Sequence, residues 1–535
     1  MRIKILIALI IVNVNFVCIQ AQWQWANQIG SVGVDNGTSA IDASNTIYGI
    51  GYFPDTCYFG TDTLTPVGYN DLFLIKYNNN GIKQWLTKIG SSGNDFCHTP
   101  VIDNNNHCFY ISGTYSSSLT IGAHTINGLG QLDIFLAKFD FNGTCIWLKS
   151  AGSISPNDYS GGLGIDSIGN VYWTGSLAIN GSVDGVPLFK GTFLSKIDPS
   201  GQTLWARIEM TDCEVNRITI ENKEIILGGT TKNDTVVFDT LQVAMYYGVH
   251  PFICKTDLNG KLIWSYVFGG NGYDVGSQFV VDHSKHIYVT GHFEDSLFVQ
   301  NDTLTNNGKR DIFLAKLDSV GNLMWIKQSH ATGHAEARDI AISGAGFIYI
   351  AGYFGGNAMF DTIVLNSSNV TNAFAARYDE YGSCLGARTL STGQSEAESV
   401  NVDSNGDIIL SGNFWGTISI GSKTMTSHGL KDIFVAKVDG INGIKAPLRV
   451  KSNNQLLIYA NPNEGKCNIT VPDDFLHEEN LILSIYSSNG KLIQQKNLEM
   501  NQNKIKINLE AQAKGLYNAV LSNGTKSYSG KIVFE

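Results

Sequence analysis

At 535 residues the chain exceeds what one ordinary core accommodates, so two or more domains or a repeat array are expected. Its 37 basic and 47 acidic residues leave a formal charge of −10 without any basic run, which argues against nucleic acid and anionic membranes as partners. Glycine is abundant (57) and proline scarce (10), and the apolar runs are short and bounded by turn residues, the pattern of an all-β chain.

In chain order, Arg2 and Lys4 precede an apolar run from Ile5 to Val17, and Ala21 offers a small residue at a cut before Gln22. Residues 1–21 are therefore expected to be a signal peptide. Lipidation at Cys18 is disfavoured because Asn15-Phe16-Val17 lacks the small residue expected before a modified cysteine. No later segment approaches the roughly 20 apolar residues of a membrane helix, so the expected product is exported and soluble. Cys57, Cys97, Cys108, Cys145, Cys213, Cys254, Cys384 and Cys467 show neither a CxxC pair nor a metal-ligand spacing. No disulfide and no metal is assigned from them.

The next feature is a repeat. "DIFLAKFDFNGTCIW", Asp133 to Trp147, returns as "DIFLAKLDSVGNLMW" from Asp311 to Trp325, and seven copies start at Asp71, Asp133, Gly191, His250, Asp311, Asn372 and Asp432, about 60 residues apart. The third position is always Phe (Phe73, Phe135, Phe193, Phe252, Phe313, Phe374, Phe434). The sixth is always basic (Lys76, Lys138, Lys196, Lys255, Lys316, Arg377, Lys437). "FLAK" predicts a strand apolar on both faces, Asp140 to Gly143 a hairpin turn, and the Trp segment a returning strand. A second hairpin joins "VVD" to "HIYVTG" (His286–Gly291) and its relatives, giving four strands per unit.

Four antiparallel strands per period describe a propeller blade. "WQWANQIG" (Trp23–Gly30) is a Trp strand without a partner, and "FVAKVD" (Phe434–Asp439) lacks its Trp strand. Pairing the two predicts a seven-bladed β-propeller over residues 22–440, closed by its terminal strands so that no interior edge is left open. The "D.GNVYVTG" and "D.FLAK.D..G...W" columns resemble the SBBP-type β-propeller repeats of secreted bacterial proteins. That resemblance implies a fold and no particular activity.

Residues 441–452 read as a linker, and from 453 to 535 the text changes. Asn461-Pro462 follows an apolar strand, Asn489-Gly490-Lys491 marks a hairpin, Gly515-Leu516-Tyr517 opens a late strand, and Lys531-Ile532-Val533 closes the chain. This segment resembles the type A C-terminal sorting domain of the Bacteroidetes type IX secretion system, with Ala460 departing from the usual start of its first mark. The strand-and-turn pattern alone predicts a small β-sandwich. The resemblance implies an address: transfer across the outer membrane by the type IX machinery, then cleavage and surface attachment or release.

Motifs for chemistry are sparse. No HExxH, GxSxG, P-loop or zinc spacing occurs, so no catalytic residue and no cofactor is assigned. His330 and His334 are read as solvated loop residues, and Asp403–Asp407 as a hairpin turn rather than a calcium loop. The basic column and the Trp column (Trp85, Trp147, Trp205, Trp264, Trp325) are read as packing between blades, with Gly386 breaking the latter in the sixth. One column is singled out as a binding candidate. Asp35, Asp95, Asp158, Glu214, Asp274, Glu336 and Glu396 stand just ahead of the innermost strands, where they either accept hydrogen bonds from turns or form an acidic ring at the channel mouth for a cation or basic peptide. Three roles follow: a non-enzymatic module binding a protein or glycan, an exported hydrolase or lyase using the mouth acids, or a structural spacer.

Overall fold

The computed structural model describes residues 23–439 and 456–534, apart from positions 156, 212, 232–234, 239–240, 245–247, 300–301, 307, 368–369, 460–464, 473–474, 476–480, 488–491, 499–503, 511 and 523–526. The signal-peptide segment, the whole linker, and Asn461, Pro462, Gly490 and Lys491 thus lie outside the described residues. The chain divides into two compact units, Met1–Ile444 and Lys445–Glu535. All named elements are β-strands.

The first unit is propeller-like. Its repeats form seven sheets with a four-stranded antiparallel core. The first runs Asn36–Ile41, Ile47–Phe53, Asp71–Tyr77, Lys83–Ile89 from inside outward. The fifth runs Val275–Val281, Ile287–Phe293, Asp311–Leu317, Leu323–Ala331. In the seventh, Ser395–Val402, Ile408–Phe414 and Asp432–Val438 are completed by Trp23–Ile29, paired from Trp23↔Val438 to Ile29↔Ile433. The "FLAK" strands are buried on both faces, as expected for sheets stacked against neighbours.

Neighbouring sheets are tied at their inner strands. Ala43 N–H donates to Asn104 Oδ1 at 2.7 Å, Ser112 and Ser160 hydroxyls meet at 2.6 Å, and Thr174 Oγ1 reaches Val215 O at 3.4 Å. Arg217 bonds Gln278 at 3.2 Å and Asp339 at 2.9 Å, Asp339 accepts from Val400 N–H at 3.0 Å, and Ser399 Oγ lies 3.3 Å from Ser39 Oγ. The last contact joins the seventh sheet to the first.

The repeated Lys and Trp act together. Lys76 Nζ and Trp85 Nε1 both donate to Phe141 O, at 2.8 and 3.2 Å. Lys138 and Trp147 share Pro199 O (2.8 and 3.4 Å), Lys255 and Trp264 share Ser319 O (2.8 and 3.4 Å), and Lys316 and Trp325 share Glu380 O (3.3 and 3.2 Å). Each acceptor sits in the hairpin turn of the next sheet. Trp25 of the N-terminal strand treats Asn79 O the same way at 3.0 Å, and Lys437 reaches Asn79 Oδ1. The turn glycine serves this seam twice. Gly321 has φ +88°, disfavoured for other residues, and a Cβ there would fall 2.6 Å from Trp264. Lys76, Lys138, Lys196 and Lys316 also lie 4.9–5.5 Å over Tyr48, Tyr110, Tyr172 and Tyr288.

A feature beyond the four-strand expectation is a short hairpin between the second and third strands of each repeat, such as Ser118–Ile121 with His124–Asn127. Those starting at Gly181, Thr235 and Asn357 extend the outer strand of the preceding sheet, covering an edge that would otherwise offer free backbone groups. His330 closes the strand Leu323–Ala331, rather than lying in a loop, and its Nδ1 lies 3.1 Å from Asp311. The eight cysteines named above are free thiols.

In the second unit, one sheet pairs Leu457–Tyr459, Lys466–Thr470 and Lys504–Asn508, and another orders Leu492–Asn497, Ile482–Ser487, Gly515–Ser522 and Ser527–Phe534. Ile469 and Ile505 of the first share a core with Leu483, Ile485, Ala519, Leu521 and Ile532 of the second. Gly515 opens its strand at φ +150°. Tyr517 is buried with its hydroxyl donating to Ala513 O, and Lys531 is exposed opposite Asn518.

Candidate functional site

The acid column divides by side-chain length. Asp35, Asp95, Asp158 and Asp274 are fully buried. Asp35 accepts from Ser31 N–H and Oγ at 2.5 and 2.7 Å, Asp95 from Ser91 at 2.6 and 2.8 Å, and Asp158 from Ser153 at 2.6 and 3.0 Å. Asp274 accepts from Glu294 N–H at 3.1 Å and faces His250 at 3.3 Å. These short carboxylates close turns. Glu214, Glu336 and Glu396 instead lie on inner strands, one bond longer and without a serine four residues back.

Burial pushes the Asp35 carboxyl up to about 7, against the Ser31 hydrogen bonds, and Asp95 to about 6. Both groups ionise near 4 when unfolded (about 3.9 for Asp), so the native state holds their protons more tightly. The associated stability is present at low pH and lost as pH climbs through about 6 to 7. The thermal midpoint of the sheet unit is therefore expected to fall between pH 5 and pH 8, and Asp35→Asn to reduce that fall. Calorimetry across this range, with a fall as steep in the variant as in the parent, would refute it.

A polar cluster gathers where the inner strands of sheets five to seven begin. The inner strands of sheets four to seven all carry a register shift at this point, and in the sixth and seventh it falls between Ala337 and Asp339 and between Ala397 and Ser399. Such bulges re-aim side chains, and the extra residues are Arg338 and Glu398. Glu336, only 2% exposed, receives Arg338 Nη2 at 3.0 Å and Arg310 Nη1, while Arg310 Nε holds Glu294 at 2.8 Å. Arg338 lies 5.4 Å over Tyr353, and its side chain keeps 40% of its surface open. His292 Nδ1 stands 3.9 Å from Glu336. Asn413 Nδ2 donates to Glu398 at 3.1 Å, Thr371 Oγ1 approaches Glu396 at 3.5 Å, and Lys431 lies 5.5 Å over Trp415.

Two of the three glutamates of the acid column, Glu336 and Glu396, are in unlike surroundings. Burial works against charge on Glu336, yet His292, Arg338 and Arg310 hold its carboxyl below the usual range. Burial, then Glu398, raises Glu396 despite Arg338 and Lys431. Burial likewise depresses Lys431 despite both neighbouring glutamates, and pushes His292 down to about 4, so the imidazole is neutral near pH 7.

Arg310, Arg338, Glu398, Asn413, His292 and Lys431 escape a search for repeated columns because they interrupt them. The available signal was partial: Arg310 and Lys431 put a cation directly before "DIF", as Lys190 does before Gly191, where the other copies have Asn70, Leu132, Val249 and Thr371.

With the fold and cluster defined, comparison with known proteins locates the chain. Residues 457–535 match the family described as secretion system C-terminal sorting domain. The protein is cargo of type IX secretion, delivered to the cell surface or extracellular space. A stretch of 392 residues is 22% identical to an uncharacterized WD repeat-containing protein of Acanthamoeba polyphaga mimivirus, covering 58% of this chain and 28% of that relative's length. Among solved structures, the polysaccharide lyase Uly1 is similar over 73% of this chain and 88% of its own, at 9% identity and TM-score 0.38. The phage phi92 endosialidase is similar over 96% and 86%, at 10% identity and TM-score 0.33.

Proposed function

We propose that the first unit is a closed seven-bladed propeller that acts outside the cell as a non-enzymatic binding module, its ligand seated at the channel mouth where the inner strands begin. The ring reading is supported by the strand Trp23–Ile29 and by Trp25 repeating the Trp-to-turn bond of the other sheets. The binding reading rests on one observation. Glu336, Arg338, Glu396, Glu398 and Lys431 crowd one sector of the mouth, two of them on bulges, where four other positions of the acid column are spent on turns. A spacer has no need of such charges in a half-desolvated place. The test is to apply the purified full chain to glycan and peptide arrays. Saturable binding that Arg338→Ala abolishes is the expected result, and binding indifferent to that change would refute the site.

The unlike environments of Glu336 and Glu396 favour a second reading, acid–base hydrolysis or elimination on a bound polysaccharide. New reducing ends released from an array ligand, and lost in Glu396→Gln, would decide for it.

A further inference from the structure

Three features of the mouth point to the chemistry of its ligand, given the binding reading above. First, its unspent capacity is for accepting hydrogen bonds. Among the described residues, no cation lies within ion-pair distance of Glu396 or Glu398. Their polar contacts are Thr371 Oγ1 at 3.5 Å and Asn413 Nδ2 at 3.1 Å. Second, Asn413 is 0% exposed, its Nδ2 is held by Glu398 and by Asn36 Oδ1 at 3.1 Å, and its Oδ1 has no partner. A buried acceptor left open beside two carboxylates is costly unless something donates to it. His292, 3% exposed with neither ring nitrogen bonded, adds a second unmet group beside Glu336. Third, the rim is aliphatic. Val34 bridges to Lys431, Leu430 N–H bonds Val32 O at 3.2 Å, and Val370 precedes Thr371, with Val32, Leu430 and Val370 63%, 65% and 79% exposed.

We infer that the mouth receives a lysine or arginine side chain from an extracellular polypeptide, its cationic head donating to Glu396, Glu398 and Asn413 Oδ1. The aliphatic rim takes the stem and flanking residues of such a segment, which a small free polyamine cannot use.

The experiment uses the purified full chain and calorimetric titration with hexalysine and hexaarginine, with spermidine as the free amine and hexaglutamate as the opposite charge. At least one basic peptide is expected to bind saturably, and Glu396→Gln with Glu398→Gln to weaken it about tenfold or more. A charge-matched control, Glu380→Gln with Glu510→Gln, is expected to change it less than about twofold, separating the site from the general attraction of a net acidic protein. Binding that survives the mouth substitutions, or weakens equally in the control, overturns the inference. Spermidine binding as tightly as the peptides overturns the polypeptide assignment. Should the double variant melt early, the single change Glu398→Gln at a half-buried position decides. If neither basic peptide binds while Arg338→Ala still abolishes array binding, the binding reading stands and this inference falls.

Discussion

Cells expressing the chain without residues 457–535 are expected to retain it in the periplasm, with its surface and medium signal falling to background while the thermal transition of the sheet unit is unchanged. The segment has its own core of Ile469, Leu483, Ile485, Ile505, Leu521 and Ile532, so its loss takes no side chain from the clusters of the repeats. Export is a property of the folded tail in this account, and a point change inside its core should mimic deletion. Tyr517 is 5% exposed and its hydroxyl is bonded to Ala513 O. Tyr517→Ala is expected to cost about 3–5 kcal/mol in the tail, as other large-to-small core changes do, and to lower the secreted fraction. Fractionation with antibody detection reads both outcomes, and normal display of the truncated chain would sink the assignment.

The second large effect is expected at Lys437. Its side chain is 1% exposed and donates to Asp403, itself 0% exposed, at 2.6 Å. It also reaches Asn79 in the first sheet and lies 3.5 Å from Asp407. Lys437→Ala leaves the Asp403 charge buried without its partner, a loss of about 3–5 kcal/mol. Lys437→Met combined with Asp403→Leu should recover much of it, because both charges then leave together. The comparison is Lys83, paired with Asp62 at side-chain exposures of 27% and 50%, where Lys83→Ala should cost no more than about 1 kcal/mol. Urea melts of the full chain rank the three, and equal losses at Lys437 and Lys83 would contradict the account.

Much of this architecture was legible because the columns carry geometry. Phe, Lys, the turn Asp and Gly, and Trp recur at one spacing because each repeat makes the same contact with the next one. Trp25 and Lys437 obey the same rule although they come from opposite ends of the chain. The peripheral hairpins were missed because "SLTIGAHTIN" offers strands of only four residues, below the length at which alternation stands out from noise. The candidate site was legible only in part. A serine four residues ahead separates Asp35 and Asp95 from the glutamates, a distinction available in the text but hidden by treating the seven acids as equivalent. The bulges at Arg338 and Glu398 left no mark, since neither bulge depends on a glycine or proline.

The strand Trp23–Ile29 has a consequence for the order of events. Gln24 bonds Asp439, 415 positions away, so the first described strand waits for the last strand of the repeats before its pairing bonds exist. The waiting itself costs little in loop entropy, which grows by only about 0.6 kcal/mol per doubling of length, but it is long in time, at synthesis rates of roughly 5–20 residues per second. Until then Asp432–Val438 lacks its outer neighbour, and both strands are open to the wrong one. On the closed-ring reading proposed above, loss of Trp23–Ile29 would leave Asp432–Val438 with an open edge that no other strand of the repeats covers.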